Sequence, residues 1–123
     1  MSGCRGSVEE DEVPRIHIWY PGKVEPESIA AVEHSIEEES VSWVIQSGPN
    51  NDPVAMAHKA AIASSLGIGV CVTPDSRIVI HDERLQEDDP VFDNSETTPE
   101  QAERLGSNAA RLAKGIPLKP ISD

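Results

Sequence analysis

The stretch "IGVCVTPDSRIVIH", residues 68–81, decides the fold. Its first five residues are apolar at consecutive positions, as in a strand covered on both faces rather than one alternating between core and water. "TPDS" carries turn chemistry, and "RIVIH" (77–81) returns, so the two runs predict an antiparallel hairpin whose first strand sits in the middle of a sheet. A strand covered on both faces needs a layer of helix on each side.

The sequence around the hairpin supplies those layers. Asp52 before Pro53 is an N-cap and first-turn pair. The helix it opens carries Ala55, Ala57, Ala60, Ala61 and Ala63, small side chains that allow close approach to a sheet, and Gly67 should end it. Further upstream, "RIHIWY" (15–20) and "VSWVI" (41–45) read as strands. Between them Ile29, Val32 and Ile36 give one apolar face to a helix over 26–39, with Pro26 in its first turn. Downstream, residues 82–100 form an acidic stretch interrupted by Val91 and Phe92, expected to be a solvated loop. Thr98, Pro99 and Gln101 have capping-box spacing. Ala102, Leu105, Ala109, Leu112 and Ala113 make the stripe of a third helix, which Gly115 stops. "IPLKPI" (116–121) reads as a last, edge-type strand, because Pro117 and Pro120 remove ladder donors. The order β-α-β-α-β-β-α-β predicts the α/β class: a mostly parallel five-stranded sheet with one antiparallel strand and helices on both faces.

The whole chain bounds what this fold can do. Its 123 residues suit one domain, taken as 14–123, with residues 1–13 a small, polar, disordered acidic arm. Net charge is −12, and the chain holds one Phe, one Tyr and two Trp, so nucleic acid and anionic lipid are poor partners and stacking platforms are scarce. Cys4 and Cys71 make no disulfide framework, which favours reduced thiols in the cytoplasm. The longest uncharged run, 60–74, is 15 residues, short of a membrane span.

Candidate chemistry is sparse. His34 and Glu38 lie four apart on one helix face, but two mixed ligands do not make a zinc site. Cys71 sits mid-strand without a base nearby in sequence and reads as a small buried hydrophobe. "LGIGV" lacks the third glycine of a dinucleotide loop and enters a strand, and no Walker-type loop is present, so the chain should not hold ATP by itself. Two features ask for more. Glu37, Glu38 and Glu39 stack at the carboxyl end of the first helix, where the macrodipole disfavours each by ~0.3–1 kcal/mol. Either the run is solvated or something positive meets it. In the third helix, Gly106 and Asn108 are poor helix formers. Either Gly106 serves close packing within the chain and Arg111 and Lys114 favour the helix terminus, or this segment contacts another chain, with Asn108, Arg111 and Lys114 at the interface.

"SIEEESVSW" (35–43) followed by "LGSNAARLAKGIPL" (105–118) resembles the small subunit of the diol and glycerol dehydratase reactivases, a family similar to the medium subunit of cobalamin-dependent dehydratases. The likeness covers about 15–121. Ser40 stands where the pattern has Gly, and Leu118 where it has an aromatic residue. The resemblance implies a three-layer α/β/α sandwich of the anticodon-binding-domain-like type. It implies a non-catalytic, chaperone-like subunit that forms a heterotetramer with a large actin-like ATPase subunit and releases damaged cobalamin from inactivated dehydratase by subunit exchange. ATP and ADP enter only through the large subunit. By motif, Glu38 is the residue implied to complete a Mg2+ site otherwise built by that subunit, and carboxylate oxygen suits this hard cation. The implied compartment is the cytoplasm, with or without enclosure in a bacterial microcompartment. The competing expectation is the medium subunit of a dehydratase itself.

Overall fold

The computed structural model describes residues 13–48 and 52–121, so the acidic arm, apart from Val13, and Cys4 lie outside the described residues. The elements run β1 (Arg15–Pro21), α1 (Ser28–Glu38), β2 (Ser42–Gly48), α2 (Pro53–Ala63), β3 (Ile68–Val72), β4 (Ile78–Asp82), β5 (Phe92–Asn94) and α3 (Pro99–Lys114). The strands form one sheet in the order β2-β1-β3-β4-β5. β1 is parallel to both β2 and β3, and β4 is antiparallel to both β3 and β5. β4 is thus the single reversed strand, and the fold is the anticipated three-layer sandwich.

The consecutive apolar residues of β3 divide between the two faces. Val70 and Val72 join Ile16, Ile18, Ile78 and Ile80 beneath α1 and α3, where Val32, Ile36 and Leu105 complete the larger core. Cys71 faces the other way, with Met56, Ala57 and Val79 under α2. A Cβ on Gly69 would collide with the backbone nitrogen of Ala61 and the backbone oxygen of Ala57, so the alanine-rich helix rests directly on β3.

The starts of α2 and α3 follow their sequences, whereas α2 stops at Ala63, where Ser64 turns extended, short of the Gly67 expected to end it. Asp52 accepts a hydrogen bond from the Ala55 amide at 3.1 Å, and Thr98 and Gln101 form the reciprocal capping box. α1 and α3 terminate alike. Val41 N–H donates to the Ile36 carbonyl across the end of α1, and Ile116 N–H donates to the Arg111 carbonyl across the end of α3. This closure places one residue in the left-handed region. In α3 it is Gly115, at φ 72°, and in α1 it is Ser40, at φ 65°.

One strand is corrected. The segment after α3 is irregular rather than a last strand, and the fifth strand is β5, inside the stretch expected to be loop. Pro117 and Pro120 remove donors from a ladder, while side chains of α3 hold the tail by a different route. Asn108 donates to the Lys119 carbonyl at 2.8 Å and accepts from the Lys119 amide at 2.6 Å. β5 pairs Phe92 with Ile80, and Arg77 donates two hydrogen bonds to the Asp93 carboxylate at 2.9 and 2.8 Å. That guanidinium holds the Asp93 carboxyl below its usual range. The acidic stretch is therefore tied to the sheet at this point.

Candidate functional site

The carboxyl ends of α1 and α3 come together at one end of the molecule, and that meeting answers the question posed by the glutamate run. Glu39 is largely buried, its side chain 13% exposed. Arg111 Nε donates to Glu39 Oε2 at 3.0 Å, and Lys114 Nζ donates to the Glu39 carbonyl at 2.7 Å and lies 3.3 Å from Oε1. Burial alone would push the Glu39 carboxyl up, but the hydrogen bonds from Arg111 and Lys114 outweigh it and hold the group below its ordinary value. The positive charge that meets this part of the run is supplied by the chain itself. It also relieves two helix termini at once, because the cations sit at the carboxyl ends of both helices.

Glu38 points elsewhere. Its side chain is 65% exposed, and His34 Nε2, one turn back on α1, lies 3.3 Å from its carboxylate. Glu38 also borders an open cavity of about 440 Å3 between α1, α3 and the tail, which Ser35, Glu103, Arg104 and Lys119 help to line. Among the described residues no group of three or more His, Cys, Asp or Glu could hold a metal ion. A single exposed carboxylate of this kind fits one ligand contributed to a Mg2+ site whose other ligands lie on another molecule. Among the described residues it has no companion ligands that would complete a metal site within the chain.

The third-helix residues are placed as follows. A Cβ on Gly106 would stand 2.6 Å from the Val32 carbonyl oxygen and 3.1 Å from Ser35 Cβ, so this glycine brings α3 close to α1. Asn108 is fully buried and held by Lys119, as above. Arg111 bonds both Glu39 and, through Nη1, the Pro117 carbonyl at 3.0 Å. Asn108, Arg111 and Lys114 thus shape the end of α3 and the path of the tail, while Ile116 and Leu118 remain exposed at its surface.

Two further groups concern reactivity. Burial pushes the Cys71 thiol up to about 12, leaving negligible thiolate for nucleophilic attack. His81, fully buried on β4, accepts from the Asp82 amide at Nδ1 (3.0 Å), which leaves Nε2–H to donate to the Glu87 carbonyl at 2.9 Å. The His58 ring lies 4.5 Å from it, and His58 Nε2 bonds the Leu85 carbonyl at 3.1 Å. Both histidines hold the loop after β4. Sequence reasoning missed this role and that of Glu39, since each depends on a partner from a distant element.

The geometry has close counterparts. The family model described as dehydratase medium subunit matches residues 13–119. The propanediol dehydratase-reactivating factor small subunit of Citrobacter freundii is 38% identical over 85 residues, covering 68% of this chain and 72% of that protein. The small subunit of the same name from Salmonella typhimurium is 38% identical over 87 residues, covering 70% and 74%. Among solved structures, a diol dehydratase-reactivating factor complexed with ADP and Mg2+ matches with a TM-score of 0.81 and 29% identity, over 88% of this chain and 99% of that one.

Proposed function

The chain belongs to the dehydratase medium-subunit family, and from that membership we propose that it is the small subunit of a diol or glycerol dehydratase reactivating factor. The observation that carries the reading is the pairing of two facts. The chain is similar along most of its length to reactivating-factor small subunits, and Glu38, the residue that the sequence motif implies as a contributed ligand, has an exposed side chain.

In this role the chain performs no catalysis and hydrolyses no nucleotide. It acts through its surface. A subunit that shares the fold of a dehydratase medium subunit can occupy that subunit's place, loosening the enzyme around damaged cobalamin so that the cofactor leaves. The large subunit supplies the ATPase. A bound Mg2+ would act as a hard-cation bridge from Glu38 to oxygen ligands on the large subunit. The chain's own contribution is positional: Glu39, clamped by Arg111 and Lys114, fixes the end of α1, so that the Glu38 carboxylate one residue earlier is held outward. No helix of the described residues is long and apolar enough to cross a membrane, and we place the complex in the cytoplasm.

The test is a choice between partner sets. Co-expressed with the reactivase large subunit, the chain should elute as a mixed complex whose mass, measured by light scattering, is that of a heterotetramer. Stable capture by dehydratase large and small subunits, with cobalamin retained through turnover and no complex with the reactivase subunit, would assign it instead to the dehydratase.

A further inference from the structure

The cavity that Glu38 borders holds more polar groups than a single metal contact would use. Gly106 draws α3 against α1 beside Ser35, and Ser35 and Ser107 both line the cavity although their residues are only 2% and 4% exposed. Among the described residues, no hydrogen bond takes up either hydroxyl. An unpaired hydroxyl at such depth costs stability, and alanine would suit both helices better. The two serines therefore point to a group that arrives from outside the chain.

The charges around them indicate its chemistry. Glu100 and Glu103 lie one turn apart on the same face of α3, and Ser107 follows a turn later. Glu100 suits the helix N-terminus, but Glu103 lies past the first turn and gains little there. Among the described residues neither glutamate is engaged in an ion pair. Of the two cations at the cavity, Arg104 already donates to the Ile121 carbonyl at 3.4 Å, which leaves Lys119 against the carboxylates. In a chain of net charge −12 this lining attracts a positive group and disfavours a second copy. Among the described residues no three His, Cys, Asp or Glu side chains could hold a metal ion together, so a point cation is poorly met. A guanidinium is met better, because its planar fork spreads five donors over separate acceptors, carboxylate and hydroxyl alike. Glu38 then identifies the source. It borders this same cavity and is the carboxylate proposed to meet the large subunit's Mg2+, so the molecule that reaches it also covers the cavity.

We propose that the cavity between α1, α3 and the tail receives an arginine side chain of the large reactivase subunit, held by Glu100, Glu103 and the Ser35 and Ser107 hydroxyls. This rests on the reactivase reading and deepens it, adding a contact to protein beside the contact to metal.

Calorimetric titration of the large subunit with variants of the full chain, at saturating Mg2+, tests the proposal. Glu103 is exposed, so Glu103→Gln should keep the Tm of the parent and weaken association by ~10-fold. Ser107→Ala loses no hydrogen bond within the chain, so it should unfold at the parent's temperature or above, yet bind ~3-fold or more weakly. Lys119→Glu, which replaces a competing cation by a further carboxylate, should tighten the complex. Parent-like affinity for both Glu103→Gln and Ser107→Ala would overturn the proposal and leave the reactivase reading standing. Opposite signs, with Glu103→Gln tighter and Lys119→Glu weaker, would overturn it too and assign the cavity to an acidic group. A dimer of the chain alone that Glu103→Gln dissociates would assign the cavity to a second copy. No complex between the parent chain and the large subunit would remove the proposal together with the reading beneath it.

Discussion

Replacing Glu39 by Gln isolates the charge at the junction of the two helix ends. The amide keeps the volume and can still accept a hydrogen bond, but the ion pairs with Arg111 and Lys114 are lost. A hydrogen bond to a charged group contributes ~1.5–3 kcal/mol when well buried. The cations here are 27% and 37% exposed, so solvent screening reduces the expected loss at neutral pH to about 1–2 kcal/mol. That corresponds to a fall in Tm of about 3–10 °C for a domain of this size. The pH dependence gives the sharper test. Because folding lowers the Glu39 pKa, its contribution is fully present above the unfolded value, about 4.3, and is lost as pH falls through the folded one. Urea denaturation of both proteins between pH 7 and pH 3 should show a gap at neutral pH that closes on acidification. A variant as stable as the parent at pH 7 would refute the clamp. A gap unchanged at pH 3 would show that the loss does not come from the carboxylate charge.

Three other outcomes are expected. Ser40→Gly should stabilise the chain by ~0.5–1.5 kcal/mol, since the residue sits at φ 65° where glycine carries no Cβ penalty; thermal unfolding measures it, and destabilisation would contradict the strain. Gly69→Ala should cost ~3 kcal/mol or more or prevent folding, because its Cβ meets backbone atoms of α2 that cannot rotate away; near-normal urea stability would mean α2 can lift off β3. Glu38→Ala should leave stability within ~0.5 kcal/mol of the parent, as expected for an exposed side chain. The same variant should weaken association with the large subunit only when Mg2+ is present, and identical binding curves across a Mg2+ titration would remove Glu38 as a ligand.

The parts of the fold legible in the sequence were those set by local chemistry. IGVCV matched β3 residue for residue, and Thr98, Gln101 and Gly115 fixed both ends of α3. The misplaced fifth strand has a physical reason on each side. β5 is too short for period-two alternation to register, with only Val91 and Phe92 as a signal, and it depends on Arg77, just before β4, reaching Asp93. The 116–121 tail has an apolar pattern but is held by Asn108 on the face of α3, a contact that no periodicity encodes. The candidate site divides the same way. The glutamate run was visible as a charge placed against a helix dipole, and the motif pointed to Glu38. That Glu39 is the buried member required knowing that α1 and α3 end side by side, which brings Arg111 to it from 72 residues away.

The central claim is most directly tested by reactivation. Dehydratase inactivated with its cobalamin damaged in place should recover activity when given the large reactivase subunit, this chain, ATP, Mg2+ and fresh adenosylcobalamin, and should recover little when the chain is omitted. Equal recovery with and without the chain would contradict the account.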